Sequence, residues 1–157
     1  MLRVWEYTGK VRRGYYIRGL SGAQFIREED YARVLAHLKA PQEEIVWLNA
    51  ADPAQVWGKA LAHAAGASFT CVPGTAVALR AGRVAALLER QGAALRIILP
   101  EAADEALQAL ARDFSQRRVF SDQQSLCVRD YPEEAREALE RAGFRRQVRD
   151  YVLWREI

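Results

Sequence analysis

Between Leu2 and Leu20 stand five cations, Arg3, Lys10, Arg12, Arg13 and Arg18, against the single acid Glu6. Tyr7, Tyr15 and Tyr16 are interleaved with them. Guanidinium groups neutralise phosphate and fork onto its oxygens, and aromatic faces stack bases at roughly 1–3 kcal/mol each. Such a segment can hold single-stranded nucleic acid without reading its sequence. The candidate contact residues are Arg12, Arg13, Tyr15, Tyr16 and Arg18. Gln24 is a further candidate, able to meet a base edge or a phosphate. If Lys10–Ile17 is one strand, Arg12, Gly14, Tyr16 and Arg18 share a face, and Arg13, Tyr15 and Ile17 share the other. Both faces cannot meet nucleic acid. The plainer alternative puts one tyrosine in the core, leaves the arginines in solvent and bonds Gln24 to nearby backbone.

These residues need a frame. Leu2, Val4, Trp5 and Tyr7 read as the last turns of an amphipathic helix with Gly9 at its C-terminal cap. Lys10–Ile17 then reads as a strand, Gly19-Leu20-Ser21-Gly22 as a turn and Ala23–Ile26 as a returning strand. Helix end, basic strand, glycine turn and returning strand is the order found at the wing of a winged helix. Tyr31, Val34, Leu35 and Leu38 follow at helical spacing, behind Glu28 and Glu29. So do Leu107, Leu110, Ala111 and Phe114, and also Ala135, Ala138, Leu139 and Ala142 behind Pro132. Asp52-Pro53 opens a fourth helical candidate carrying Val56, Trp57, Ala60 and Leu61, with Asp52 as its N-cap. Between Thr75 and Leu99 the period changes to short apolar runs split at Ala81-Gly82 and Gln91-Gly92, which predicts a three-stranded antiparallel meander. Ile45–Leu48, Arg118–Phe120, Leu126–Val128 and Tyr151–Trp154 are further strand candidates. The class is therefore α+β: a curved antiparallel sheet or partial β-barrel packed by several helices, preceded by a winged-helix remnant. Residues 1–26 form the remnant and 27–157 the α+β domain, expected to make one compact unit.

The chain has 157 residues, half of them hydrophobic, with a net charge of +3. Lys10, Lys39 and Lys59 are its only lysines, so its basicity is nearly all arginine. That bias suits phosphate, although a GC-rich genome produces it too. Cys71 and Cys127 lack metal-ligand spacing, so no metal site is expected, and isolated thiols fit a reducing, cytoplasmic setting. No run approaches the length of a membrane span, and none resembles a signal peptide. No GxxxxGK[ST], GxSxG, HExxH or CxxC occurs, and His37 and His63 have no partners for a catalytic cluster. ATP turnover is not expected of this chain by itself. The cluster Arg141, Arg145, Arg146 and Arg149 makes a second basic patch, tempered by Glu137 and Glu140, and reads as a solvated face.

The run Trp5-Glu6-Tyr7-Thr8-Gly9-Lys10-Val11-Arg12-Arg13-Gly14-Tyr15-Tyr16-Ile17-Arg18-Gly19-Leu20-Ser21-Gly22-Ala23-Gln24-Phe25 resembles a segment of bacterial Lhr-type (large helicase-related) DEAD/DEAH-box helicases, where a winged helix ends. Trp47-Leu48-Asn49-Ala50-Ala51-Asp52-Pro53, Val72-Pro73-Gly74-Thr75-Ala76-Val77-Ala78-Leu79, Ala142-Gly143-Phe144 and Asp150-Tyr151-Val152-Leu153 agree in the same order. The resemblance implies two RecA-like motor domains, a winged helix and a β-rich C-terminal domain, with ATP and Mg belonging to the motors and no cofactor to this chain. It implies a nucleic-acid-binding accessory domain that helps guide single-stranded or partly duplex DNA beside those motors, with DNA repair as the setting and no membrane partner. Two rivals stand beside it. One is a base-excising glycosylase-like domain, which needs an acid in a base-sized pocket; Asp52 and Asp150 are the nominees. The other is a scaffold docking on the motors through an apolar face.

Overall fold

The computed structural model describes residues 1–155. Its elements run α1 (Leu2–Tyr7), β1 (Val11–Gly14), β2 (Gln24–Arg27), α2 (Glu28–Lys39), β3 (Val46–Asn49), β4 (Ala76–Arg80), β5 (Arg83–Glu89), β6 (Ala94–Ile97), α3 (Ala103–Ser115), β7 (Ser125–Val128), α4 (Arg136–Arg141), β8 (Arg145–Gln147) and β9 (Asp150–Trp154). The expected α+β class is observed. Its sheets are antiparallel, with orders β1-β2, β3-β4-β5-β6 and β7-β9-β8. None closes into a barrel among the described residues. No described helix is long and apolar enough to cross a membrane. The chain divides into two compact units, Met1–Gln42 and Glu43–Ile157. The first runs past residue 26 because α2 starts directly on β2, with the Glu28 N–H donating to the Lys10 carbonyl.

The first unit holds α1, the β1-β2 hairpin and α2. Helix α1 ends as expected at Gly9, whose φ of +69° a side chain would strain. The Gly9 N–H donates to the Glu6 carbonyl and the Lys10 N–H to the Trp5 carbonyl, closing two orphan carbonyls of the last turn.

In the second unit the predicted meander is present as β4, β5 and β6, turning at Ala81-Gly82 and at Arg90–Gly92. Both faces of the four-stranded sheet are covered, which is why β5 reads as an unbroken apolar run rather than an alternating one. One extra residue, Ala85, is inserted where the register with β4 shifts between Ala78 and Leu79. The bulge keeps Val84 and Leu87 on one face and Ala86 and Leu88 on the other. Leu107, Leu110 and Phe114 of α3 cover the second face, where Trp47 Nε1 donates to the Ala106 carbonyl at 2.7 Å. Leu126, Val128, Tyr151 and Leu153 of the β7-β9-β8 sheet join that core with Leu139 of α4. Ala50, Ala67, Phe69 and Trp57 cover the first face, and they come from a segment without helix or strand.

That segment corrects the helix expected after Asp52-Pro53. Asp52 does cap, its carboxylate accepting from the Ala54 N–H at 2.8 Å, but no helix follows. The Leu61 N–H turns back to the Val56 carbonyl and the Gly58 N–H to the Leu61 carbonyl, a closed turn incompatible with helical pairing. Trp57 Nε1 is meanwhile held by the Gly82 carbonyl. The apolar spacing that imitated a helix is a coil lying on the sheet. The strand expected at Arg118–Phe120 is also absent. Arg117 and Phe120 both have positive φ, and buried Arg155 takes the carbonyls around them. Its guanidinium donates to the carbonyls of Phe114, Phe120, Ser121 and Gln123 and lies 4.2 Å from the Phe114 ring centroid. Desolvation pulls that guanidinium below its ordinary pKa, and the four carbonyls satisfy its donors in place of a carboxylate.

Candidate nucleic-acid interface

Strand β1 is shorter than expected. It ends at Gly14, paired with Gln24, so the alternation drawn through Ile17 does not hold. Tyr15–Ala23 is a loop, and one side chain organises much of it. Gln24 Oε1 accepts from the N–H groups of Tyr16 at 2.8 Å and Ile17 at 2.7 Å. Its Nε2 donates to the carbonyls of Ile17 at 3.1 Å and Leu20 at 3.3 Å. An amide has two acceptor sites and two donors, so Gln24 is fully spent on the loop. No group remains for a base edge, and the backbone-bonding alternative describes its geometry.

Arg12 is committed as well. It forks onto Glu28, with Nε 3.1 Å from Oε2 and Nη2 bonded to Oε1, while its guanidinium lies 4.0 Å from the Tyr31 ring centroid. Glu28 raises the Arg12 pKa, and Arg12 in turn holds the Glu28 carboxyl below its ordinary value. Tyr16 closes the cluster: its hydroxyl donates to the Arg12 carbonyl at 3.0 Å, and its ring meets Tyr31 edge-on at 6.4 Å. The ring also lies over Gly14, where a Cβ would come within 2.7 Å of it. Arg12, Tyr16 and Gln24 therefore shape the wing.

The remaining candidates face solvent. Tyr15 is 81% exposed, and Arg13 and Arg18 are exposed with no ion pair among the described residues. Arg13 also borders a groove of about 650 Å³ between α1 and the hairpin, with Arg3, Glu6, Tyr7, Ala23 and Phe25. Tyr7, at 95% exposure, and Arg3 add an aromatic face and a cation to the surface. Phe25 is the wall that sequence reasoning left out; its register opposite Arg13 marks it only once the hairpin is known.

Residues 1–46, which include all of this geometry, match the family model of the winged-helix domain of large helicase-related proteins. An Lhr helicase/probable uracil glycosylase of Mycolicibacterium smegmatis is 35% identical over 107 residues, covering 60% of this chain and 7% of that protein. An Lhr helicase/uracil glycosylase of Escherichia coli is 30% identical over 146 residues, covering 84% of this chain and 10% of that protein. The chain belongs to the Lhr family. It spans a tenth or less of the length of these curated Lhr relatives. In this Lhr chain the family's winged-helix match takes in α2 as well as the wing, consistent with the contacts between Arg12, Glu28 and Tyr31.

Because Glu28 is depressed by its partner, the pair stabilises the fold above the ordinary Glu pKa, and that contribution is lost as pH falls through the lowered value. In Arg12→Ala the Glu28 titration midpoint, followed by the carboxyl carbon shift in NMR, rises toward the ordinary value. The acid-side fall in melting temperature becomes shallower than in the native sequence. Identical Glu28 midpoints in the two proteins would show that the ion pair does not form in solution.

Proposed function

We propose that this Lhr chain is a nucleic-acid-binding accessory region of an ATP-dependent DNA helicase, holding a single strand beside motor domains that carry the ATP chemistry. The observation that carries the reading is the division of labour in the wing. Arg12, Tyr16 and Gln24 fix the loop, while Arg13 on β1 and Tyr15 and Arg18 of the loop are exposed and unpaired among the described residues. A pre-shaped wing with two exposed guanidiniums and an exposed ring loses little order on binding phosphate and base. Its affinity in isolation is modest, because few phosphates are within its reach.

A second reading rests on the pocket behind the Phe120 turn. It holds about 190 Å³ and is lined by Asn49, Thr75, Gln91, Arg118, Ser121 and Asp122 among others. Gln91 and Phe120, on its wall, have φ of +60° and +47°. Strained residues gathered on a polar pocket are a pointer to a ligand site. Both relatives carry uracil glycosylase in their names. On this reading a flipped pyrimidine enters the pocket, and Asp122 assists water in replacing the base at the sugar carbon. The acids nominated from sequence serve elsewhere: Asp52 caps a turn, and Asp150 pairs with Arg129 and accepts from Cys127.

Single-strand binding titrated across a salt series tests the first reading. Replacing Arg13 and Arg18 by Ala removes at most two phosphate contacts, so the slope of log affinity against log salt flattens by up to about 1.4, from about 0.7 for each. Tyr15→Ala weakens binding by roughly 1–3 kcal/mol with the slope unchanged, since stacking releases no counterions. Native slope and affinity in all these variants would refute it. For the second reading, a uracil-containing single strand is incubated with the protein and abasic sites are counted. The reading predicts base release that Asp122→Asn abolishes; no release by the native chain, or full release by the variant, removes it.

A further inference from the structure

The second unit carries another basic projection, the β8-β9 hairpin. Arg141, grouped by sequence with this patch, belongs elsewhere: it bonds Asp104 and Glu137. Arg145, Arg146 and Arg149 remain, all exposed and without an ion pair among the described residues. Asp150, the one acid of the hairpin, is neutralised by Arg129 at 3.6 Å.

At the tip between paired Gln147 and Asp150 stands Val148, 90% exposed with φ of +59°. Glycine is the favoured residue at such a position, and a β-branched side chain is a genuine outlier there. The tip is braced on both sides. Arg146 Nε donates to the Val148 carbonyl at 3.2 Å, and the Tyr131 hydroxyl donates to the Arg149 carbonyl at 2.8 Å. Folding thus gains nothing visible from valine here: its side chain packs against nothing and its backbone is strained. What the arrangement does achieve is to present an aliphatic side chain among guanidiniums at the turn joining β8, the edge strand, to β9, the central strand of the three-stranded sheet.

We propose that this hairpin is a contact for duplex DNA, with arginines on phosphates flanking a groove and Val148 as the wedge inserted into it. Single-strand sites depend on aromatic platforms; Gln147–Asp150 include no aromatic, and Tyr131, which braces the tip, is half-buried against Tyr151. Aliphatic wedges accompanied by arginine suit a duplex groove, where they press between base steps. This contact is independent of the wing, which takes a single strand.

The test uses the full chain, a short blunt DNA duplex and one of its single strands, titrated by fluorescence anisotropy at several salt concentrations. Arg145→Ala with Arg149→Ala flattens the duplex slope by up to about 1.8, from about 0.9 for each phosphate contact, and leaves the single-strand slope at its native value. Val148→Gly melts at the native temperature or above it, because strain is relieved. It nevertheless binds duplex about tenfold more weakly, as the loss of one buried aliphatic group implies. A native duplex slope in the double variant overturns the proposal, as does native duplex affinity in Val148→Gly. Hairpin-dependent binding of polyglutamate without binding of duplex would assign the surface to an acidic protein partner and overturn it equally.

Discussion

Backbone groups that leave a strand must find partners elsewhere, and in the wing many find them in one amide. Gln24 satisfies two N–H groups and two carbonyls of Tyr16, Ile17 and Leu20. The rest of the interface follows from that. With the loop pinned at Tyr16 and Ile17, the flanking Tyr15 and Arg18 are turned outward. With Tyr16 folded over Gly14 and bonded to Arg12, the Arg12 guanidinium is directed to Glu28 and Tyr31 rather than outward. Arg12, Tyr16 and Gln24 thus hold the shape of the segment, while Arg13, Tyr15 and Arg18 are left exposed.

The second unit applies the same economy. Its four-stranded sheet is buried on both faces, by α3 on one side and by an irregular segment on the other. An irregular cover leaves backbone groups without ladder partners, and side chains compensate. Gln55 donates to the Ala50 carbonyl, Lys59 to the Asp52 carbonyl, and His63 Nε2 accepts from the Phe69 N–H. Arg155 does the same on the Phe114 carbonyl at the end of α3 and on three carbonyls of the turn beside the small polar pocket. Long polar side chains replacing regular pairing allow this unit to carry strained loops such as the one holding Phe120.

Much of the frame was legible from residue order. The β4–β6 meander announced itself through Ala81-Gly82 and the change of period, and α2, α3 and α4 through apolar spacing, with acids opening α2 and Pro132 ahead of α4. What misled was spacing without context. Val56, Trp57, Ala60 and Leu61 repeat as a helix would, yet they belong to a coil whose apolar side chains are drawn to the sheet, and only the third dimension separates the two. The basic wing was legible as a surface but not as individual roles. Arg12 and Arg13 are equivalent in sequence; the register placing them opposite Ile26 and Phe25, and the start of α2 at Glu28, separates them. Val148 left no signal, because a positive φ at valine cannot be anticipated from residue preference.

The central claim is that the wing is a pre-shaped single-strand surface. Amide chemical shifts of the labelled chain, recorded as a single-stranded oligonucleotide is added, test it most directly, together with hydrogen exchange at Tyr16 and Ile17. The account predicts shifts centred on Arg13, Tyr15 and Arg18, with the Tyr16 and Ile17 amides protected before and after binding. Shifts confined to the second unit, or a Tyr16 and Ile17 pair that exchanges freely until the strand arrives, would contradict it.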